Sequence, residues 1–270
     1  AASEAHPQYG PEVHLCAFLD KKYPGDKPHR AYAFYARNFT VPILTRLYKQ
    51  IVAEHSVDAI IIADGGSDSL MVGDEQGLGD PIEDAISVAT VAGIEGLKLR
   101  ALLAMGVGCD RYNCVSDAAT LRAIAALTRS GGFLGCISME PSSESYLFYK
   151  QLIEHTYGSQ KFHSVISGSI MAATEGVYGS DEVPQSLQER VGKGHLFLWP
   201  LMAMIWAFDV GAVARRSLTC RLVRDAKTVD EAHFRLHEAR SKSRTIRAAE
   251  ELPSHAQYSS DGGVGTHYGK

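Results

Sequence analysis

The sequence predicts an α/β protein built on a mainly parallel β-sheet. Short apolar segments alternate along the chain with segments whose apolar residues recur at helical spacing, which is the pattern of βαβ units. The chain has 270 residues, 45% of them hydrophobic, and can therefore bury a substantial core. We expect one α/β domain over residues 1–251 and a loosely ordered tail over 252–270, which is rich in Ser, Gly and His.

The first elements follow from local patterns. The apolar run over residues 14–19 predicts the first strand. Apolar residues at helical spacing predict a helix over 40–55. The continuous apolar run over 57–63 then predicts a buried parallel strand.

Two later helices have recognisable start signals. Asp80 fits an N-cap, Pro81 the first helical position and Glu83 the third, which is the arrangement of a capping box. Ser116 is placed to cap a helix over 117–128. The pattern of strand, loop and helix then continues with strands over 98–107 and 133–138, helices over 142–155 and 228–240, a small-residue segment over 165–174 and a core element over 196–208.

Bulk composition argues against several classes of protein. The formal net charge of −4 disfavours a dedicated nucleic-acid binder. No apolar run approaches the ~20 residues that a membrane span requires, so we expect no membrane partner. The five cysteines are odd in number and include no CxxC pair, which favours a reducing, cytoplasmic setting over a disulfide framework or a zinc ribbon.

Charge is distributed unevenly along the chain. Residues 50–97 contain no Lys or Arg, whereas arginines outnumber acids between residues 190 and 250. Such an asymmetry pairs two faces of one domain or two subunits, and we expect a homo-oligomer. Solvated surfaces are the alternative explanation.

An acidic, glycine-rich loop is the main candidate for a functional site. Residues 64–80 contain five carboxylates, five glycines and no Lys or Arg, and they follow the predicted strand at 57–63. In an open α/β sheet, ligands bind beyond the carboxyl ends of the strands. The missing cation disfavours bare phosphate. The loop instead suits a divalent metal such as Mg2+, or the ammonium and hydroxyl groups of a polar metabolite.

Asp64 and Asp68 are the leading metal ligands and catalytic candidates, because they flank the Gly-Gly turn at the strand end. Helix capping alone explains Asp80 and Glu83. The predicted substrate-binding residues are Gly65, Gly66, Ser67, Ser69, Asp74, Glu75 and Ser169, although Asp74 and Glu75 also fit a solvated turn.

Three further residues are candidate catalytic groups. Cys109 and Asp110 follow the predicted strand at 98–107 and lie beside the acidic loop if consecutive strands are adjacent. Cys109 is a nucleophile only where a base or a positive field forms its thiolate, and a small buried residue is the alternative interpretation. Glu175 ends the small-residue segment and offers another acid, although tight helix packing also explains the small residues.

Several segments together resemble a family designated DUF1152, whose members are proteins of unknown function. These segments are residues 64–71, 73–79, 131–135, 175–179, 206–209 and 213–216. The resemblance implies a three-layer, Rossmann-like fold with helices on both faces of the sheet, and it supplies no catalytic residues. The turn at Asp64 also resembles, over a few residues, the Asp-Gly-Gly-Asn turn of D-glutamate cyclases, which implies a lyase of small amino acids.

One departure from the DUF1152 pattern concerns the N-terminus. Members of that family usually begin with a Gly-rich strand-turn-helix of the kind that binds a nucleotide or phosphate, and no such segment precedes His14. We expect either a truncated or cleaved chain, whose separate N-terminal segment is a partner, or the loss of that segment.

The leading functional hypothesis is a small-molecule enzyme, a lyase or a hydrolase, that acts on a polar metabolite with the help of a metal at the acidic loop. Asp110 or Glu175 then serves in acid-base chemistry. The alternatives are a non-catalytic metabolite-binding or sensor protein and an oligomer-forming scaffold subunit.

Overall fold

The computed structural model describes residues 10–25, 28–243 and 245–252. The predicted tail lies outside the described residues, except for Leu252. In chain order the elements are α1 (Pro11–Lys22), α2 (Val41–His55), β1 (Ala59–Asp64), α3 (Pro81–Ala92), β2 (Leu99–Met105), α4 (Asp117–Arg129), β3 (Phe133–Ser138), α5 (Glu144–Ser159), α6 (Val165–Thr174), α7 (Gln185–Gly192), β4 (Met204–Asp209), α8 (Val210–Arg216), α9 (Leu218–Val223) and α10 (Val229–Lys242).

The described strands form one mixed sheet in the order β1-β2-β4-β3. β1 and β2 pair in parallel, with Asp64 opposite Ala104. β4 lies antiparallel to both β2 and β3. The carboxyl ends of β1, β2 and β3 therefore share one edge of the sheet, which is where the candidate site lies.

The α/β class is confirmed, and the prediction of a mainly parallel sheet is wrong. β4 returns from the same edge at which β3 ends, so that Ser138 pairs with Met204 and the amide of Met139 donates to the carbonyl of Ala203 at 2.8 Å. The long connection through α5, α6 and α7 thus brings the chain back to that edge instead of crossing the sheet. An apolar run does not encode strand direction, because a buried central strand looks alike in either orientation.

One face of the sheet carries the main core. Leu102, Ala104 and Phe208 are fully buried on this face, against apolar side chains of α2, α3, α4, α8, α9 and α10. Burial of such side chains is the principal stabilising contribution to a fold of this size.

The opposite face is apolar and open to solvent. Ile61 of β1, Leu99 of β2 and Ile137 of β3 lie on it and are 55%, 42% and 66% exposed. An exposed apolar face that extends across a sheet is typical of an interaction surface.

The predicted first strand at residues 14–19 is wrong, because this segment lies within α1. Pro11 occupies the first turn, where a missing N–H costs no hydrogen bond, and basic residues occupy the last turn. Phe18 packs edge-on against Phe148 of α5, with ring centroids 5.6 Å apart. A six-residue apolar run is too short to distinguish a strand from one face of a helix.

Most predicted helix starts are confirmed by their caps. Ser116 Oγ accepts a hydrogen bond from the amide of Ala119 at the start of α4, and Thr228 caps α10 in the same way. Thr40 before α2 and Asp80 before α3 do not cap their helices in this way. α3 begins at Pro81 as predicted, but the Asp80 side chain makes no capping hydrogen bond, so the capping box does not form. No helix within the described residues is both long enough and apolar enough to cross a bilayer.

Candidate functional site

Four aspartates meet at the shared edge of β1 and β2, and we refer to Asp64, Asp68, Asp84 and Asp110 as the carboxylate cluster. Asp64 ends β1, and Asp68 lies in the short 3-10 helix that follows. Asp84 projects from the first turn of α3. Asp110 lies in the 3-10 helix after β2. Adjacent parallel strands therefore bring the two loops together, as predicted.

Three members of the carboxylate cluster are close enough to share one cation. Each of Asp64, Asp68 and Asp84 offers a carboxylate oxygen that lies within 4.8 Å of the other two. Asp64 and Asp68 are only 9% exposed. Ser69 Oγ donates to Asp64 Oδ2 at 2.5 Å, which fixes the orientation of that carboxylate.

Asp110 is held against the turn at Gly66. Its Oδ2 accepts a hydrogen bond from the Ser67 amide at 2.6 Å, and the Ser67 hydroxyl in turn bonds Thr120 Oγ1 at 2.9 Å. A Cβ at Gly66 would overlap the Asp110 carboxylate, so this position has no room for a side chain. The predicted substrate-binding residues Gly66 and Ser67 therefore lie within the site, where they hold Asp110.

The far end of the acidic loop returns to Asp68. The Asp80 amide donates to Asp68 Oδ2 at 2.9 Å. Gly79 has a positive φ of 69°, and a Cβ at this position would overlap the Asp68 side chain. The return of the chain at residues 79 and 80 thus positions a predicted metal ligand.

Electrostatics disfavour four negative charges in the carboxylate cluster. Burial, followed by repulsion from Asp68, raises the pKa of Asp64 to about 6. Burial and the Asp68 charge likewise raise the pKa of Asp110 to about 7. Burial raises the pKa of Asp68 and, more strongly, that of Asp84, which also faces the charges of Asp64 and Asp68.

The carboxylate cluster has no cationic partner among the described residues. Among the residues that the structure describes, no Lys, Arg or His side chain forms an ion pair with any of its four members. Buried carboxylates are ordinarily neutralised by a proton, an ion pair or a metal. In this cluster a proton or a bound cation fills that role.

The middle of the same loop is arranged differently. Arg247 Nη2 lies 2.6 Å from Asp74 Oδ1 and 2.6 Å from Glu75 Oε1. The Glu75 carboxylate also accepts hydrogen bonds from the amides of Val72 and Gly73. The predicted substrate-binding residues Asp74 and Glu75 therefore neutralise arginine and close a turn, and we refer to residues 74–76 as the arginine-bound turn.

Cys109 and Ser169 are brought together, on the α6 side of the same loops. Ser169 is fully buried, and its hydroxyl donates to the Val165 carbonyl at 2.8 Å. Burial raises the pKa of the Cys109 thiol to about 12, which disfavours a thiolate at neutral pH. The two glycines of the turn have different neighbours. Gly65 lies against Ile166 of α6, and Gly66 lies against Asp110.

Glu175 has partners on another element. Its carboxylate accepts a hydrogen bond from the Tyr146 hydroxyl at 2.9 Å and lies 2.5 Å from Lys150 Nζ, both on α5. The Lys150 ammonium lowers the pKa of Glu175. These contacts place Glu175 in an ion pair rather than in the carboxylate cluster.

Sequence reasoning did not single out Asp84 as a site residue. Within α3 the neighbouring positions Ile82, Ala85 and Ile86 are buried in the core, so the helical pattern gave Asp84 no distinctive position. Its proximity to Asp64 and Asp68 is a tertiary contact between the first turn of α3 and the end of β1. The sequence signal that could have identified Asp84 is its position as an acid in the first turn of the helix that follows the acidic loop.

Comparisons with known proteins give one match. A sequence model of the family described as "Protein of unknown function (DUF1152)" matches residues 30–245, which is most of the chain. Neither the curated proteins nor the solved structures include a match.

Proposed function

We propose that this chain, which belongs to the DUF1152 family of proteins of unknown function, is a metal-assisted enzyme of the lyase or hydrolase class. Its substrate is a small polar metabolite, and its hard divalent cation, such as Mg2+ or Mn2+, binds Asp64, Asp68 and Asp84. The observation that carries the proposal is the convergence of three carboxylate oxygens within 4.8 Å, without an ion-pairing cation in the described chain. Carboxylate oxygen is the preferred donor for such cations.

A cation at this position would polarise a substrate oxygen or lower the pKa of a bound water. Asp110 is then the candidate general acid or base. It faces the same carboxylates, its orientation is fixed by the Ser67 amide, and burial raises its pKa above that of an exposed carboxyl group, which favours proton exchange. The ion pair of Glu175 with Lys150 makes Asp110 the better candidate for this role.

A cation-binding assay tests the proposal directly. We expect Mn2+ to bind the wild-type protein at pH 8, and Asp84→Asn to weaken its affinity by at least about tenfold, because a ligand is removed. The matched control is Asp58→Asn. Asp58 lies just before β1, is exposed and pairs with Lys98 at 2.7 Å, so its loss should leave the affinity unchanged. Isothermal titration calorimetry measures all three proteins.

Equal melting temperatures with and without divalent cations would count against the metal-assisted enzyme. Binding of Mn2+ and of a metabolite without turnover would favour the metabolite-binding or sensor alternative. A panel of amino acids, hydroxy acids and sugar phosphates, followed by mass spectrometry of the products, separates the two.

A homo-oligomer-forming subunit is the second candidate, and the exposed apolar sheet face favours it. Strands of six or seven residues at a rise of ~3.3 Å, four of them at a spacing of ~4.8 Å, cover roughly 400 Å2 in projection, which is at the low end for a weak self-association. A second copy on this face would bury its exposed apolar side chains by packing sheet on sheet. Light scattering compares the oligomeric state of the wild-type protein with that of Asp84→Asn. If Asp84→Asn loses Mn2+ binding but keeps the same oligomeric state, the carboxylate cluster is not required for oligomerisation.

A further inference from the structure

We infer that Arg240 and Arg247 are positioning residues of the cation site, which they organise through the loop without touching the cation. The inference rests on the proposed function, since it concerns the affinity of that same site. We refer to Arg240 together with residues 245–250 as the arginine strap.

The arginine strap holds the arginine-bound turn by both backbone and side chain. The Gln76 amide donates to the Arg247 carbonyl at 2.8 Å, and the Arg247 amide donates to the Asp74 carbonyl at 2.8 Å. From α10, Arg240 Nη1 donates to the carbonyls of Gly73 and Glu75 at 2.9 and 2.7 Å. The Arg240 guanidinium therefore donates hydrogen bonds to three carbonyls of the loop, those of residues 73, 75 and 76.

The turn that the strap holds leads directly to a ligand of the cation. Only Gly77 and Leu78 separate Gln76 from Gly79, and the Asp80 amide bonds Asp68. Gly77 is packed so closely on the Cys114 carbonyl that it cannot carry a side chain, and Leu78 is buried. This short, tightly packed path leaves the chain little freedom between the strap and Asp68. The same path continues into α3, which carries Asp84.

A positioning role makes a prediction of opposite sign to a purely electrostatic one. Loss of a nearby positive charge strengthens the binding of a cation, because the local potential becomes more negative. Loss of the bonds that order the loop weakens it, because two ligands then lose their fixed geometry. A weaker affinity after removal of an arginine therefore indicates positioning.

The test compares Mn2+ affinity in four proteins by isothermal titration calorimetry, at a temperature where circular dichroism shows each to be folded. These are the wild type, Arg240→Gln, Arg247→Gln and the control Arg235→Gln. Arg235 also lies on α10 and forms ion pairs, with Asp225 and Glu231, but it does not touch the loop. We expect the Arg240 and Arg247 variants to lose about tenfold in affinity and the Arg235 variant to match the wild type.

Arg240→Lys extends the test. It keeps the charge but loses the planar fork that bonds several carbonyls, so it should also bind Mn2+ more weakly than the wild type. If the wild type binds Mn2+ and the Arg240 and Arg247 variants bind it equally well or more tightly, the positioning role is overturned and the cation site stands. If the wild type binds no Mn2+, the proposed cation site is overturned, and the positioning role with it.

Discussion

The arginine-bound turn and the carboxylate cluster both contain buried acids, but they neutralise those acids differently. In the arginine-bound turn, Glu75 is only 5% exposed, yet its charge is met by Arg247 and by two backbone amides. In the carboxylate cluster, Asp64 and Asp110 are similarly buried, at 9% and 7% exposed, without an ion-pairing partner among the described residues. The difference separates acids that hold the loop together from acids left available for a ligand.

The pKa shifts of the two parts run in opposite directions. The Arg247 guanidinium lowers the pKa of Asp74, whereas burial raises the pKa of Asp64, Asp68, Asp84 and Asp110. The direction of the pKa shift of each acid thus depends on what packs against it. A raised pKa in a buried cluster is typical of functional sites, although ion-pair networks also perturb pKa values.

The largest expected effect is on the pH dependence of stability without metal. Asp64 and Asp110 have pKa values of about 6 and 7 in the folded protein, above the ordinary 3.8. Their stabilising contribution to the free energy of unfolding is fully present below about pH 4. It is lost as the pH rises through 6 and 7, at about 1.4 kcal/mol per pH unit and group. We expect the free energy of unfolding, measured in urea with EDTA, to fall by at least about 4 kcal/mol between pH 5 and pH 8, because Asp84, whose pKa is raised further, adds to the loss from Asp64 and Asp110.

Neighbouring groups and a control define that prediction. Asp68, Asp84, Asp80 and Glu83 face the same cluster and repel further charge. Asp110→Asn should reduce the fall in the free energy of unfolding between pH 5 and pH 8. Saturating Mg2+ should reverse part of that fall. The arginine-bound turn behaves oppositely, because Asp74 has a lowered pKa and its contribution is lost as the pH falls below about 4. A free energy of unfolding that rises from pH 5 to pH 8 would remove the distinction between the two parts.

Gly79→Ala should give the next largest effect, by disturbing the chain return that holds Asp68. Gly79 and Gly194 have nearly equal φ values of 69° and 70°, so alanine is similarly strained at both. An added Cβ meets the Asp68 side chain at Gly79 and nothing within 4 Å at Gly194. We expect losses of about 3 kcal/mol for Gly79→Ala and about 1 kcal/mol for Gly194→Ala in urea unfolding. Equal losses would show that backbone strain alone accounts for Gly79.

The smallest expected effects are changes in stability of opposite sign for substitutions in the carboxylate cluster and in the arginine-bound turn. At pH 8 without metal, Asp64→Asn removes a buried, unpaired charge and should stabilise the protein by about 2 kcal/mol. Asp74→Asn removes a partly exposed partner of Arg247 and should destabilise it by about 1 kcal/mol. Thermal unfolding in EDTA measures both. Shifts of the same sign would contradict the assignment of the two acids to different roles.

The fold was predictable where the signal is local. The helices at residues 40–55, 117–128 and 228–240 were found from apolar spacing and capping residues, and the strands at 57–63 and 133–138 from apolar runs. The first strand was wrong because a six-residue run fits either period. The direction of β4 depends on where a connection of more than 60 residues ends, and no local pattern records that.

The candidate site was predictable to a similar degree. Asp64, Asp68 and Asp110 follow strands, and strand ends in an α/β sheet are where ligands bind, so their meeting follows from chain order once β1 and β2 are adjacent. Asp84 was missed because it joins the cluster from a helix. The separation of Asp74 and Glu75 from that cluster depends on Arg240 and Arg247, which lie more than 160 residues further along the chain.

The sequence by itself determined the α/β class, the family, and an acidic, glycine-rich loop at the end of a strand. These properties depend on the spacing of residues along the chain, which is a local quantity. Tertiary structure alone decided which carboxylates remain without a positive charge, because burial and ion pairing depend on what the rest of the chain places beside each group. Arg240 and Arg247 come from the basic end of the sequence and bond the loop between residues 73 and 76, which leaves the carboxylate cluster for a proton or a cation.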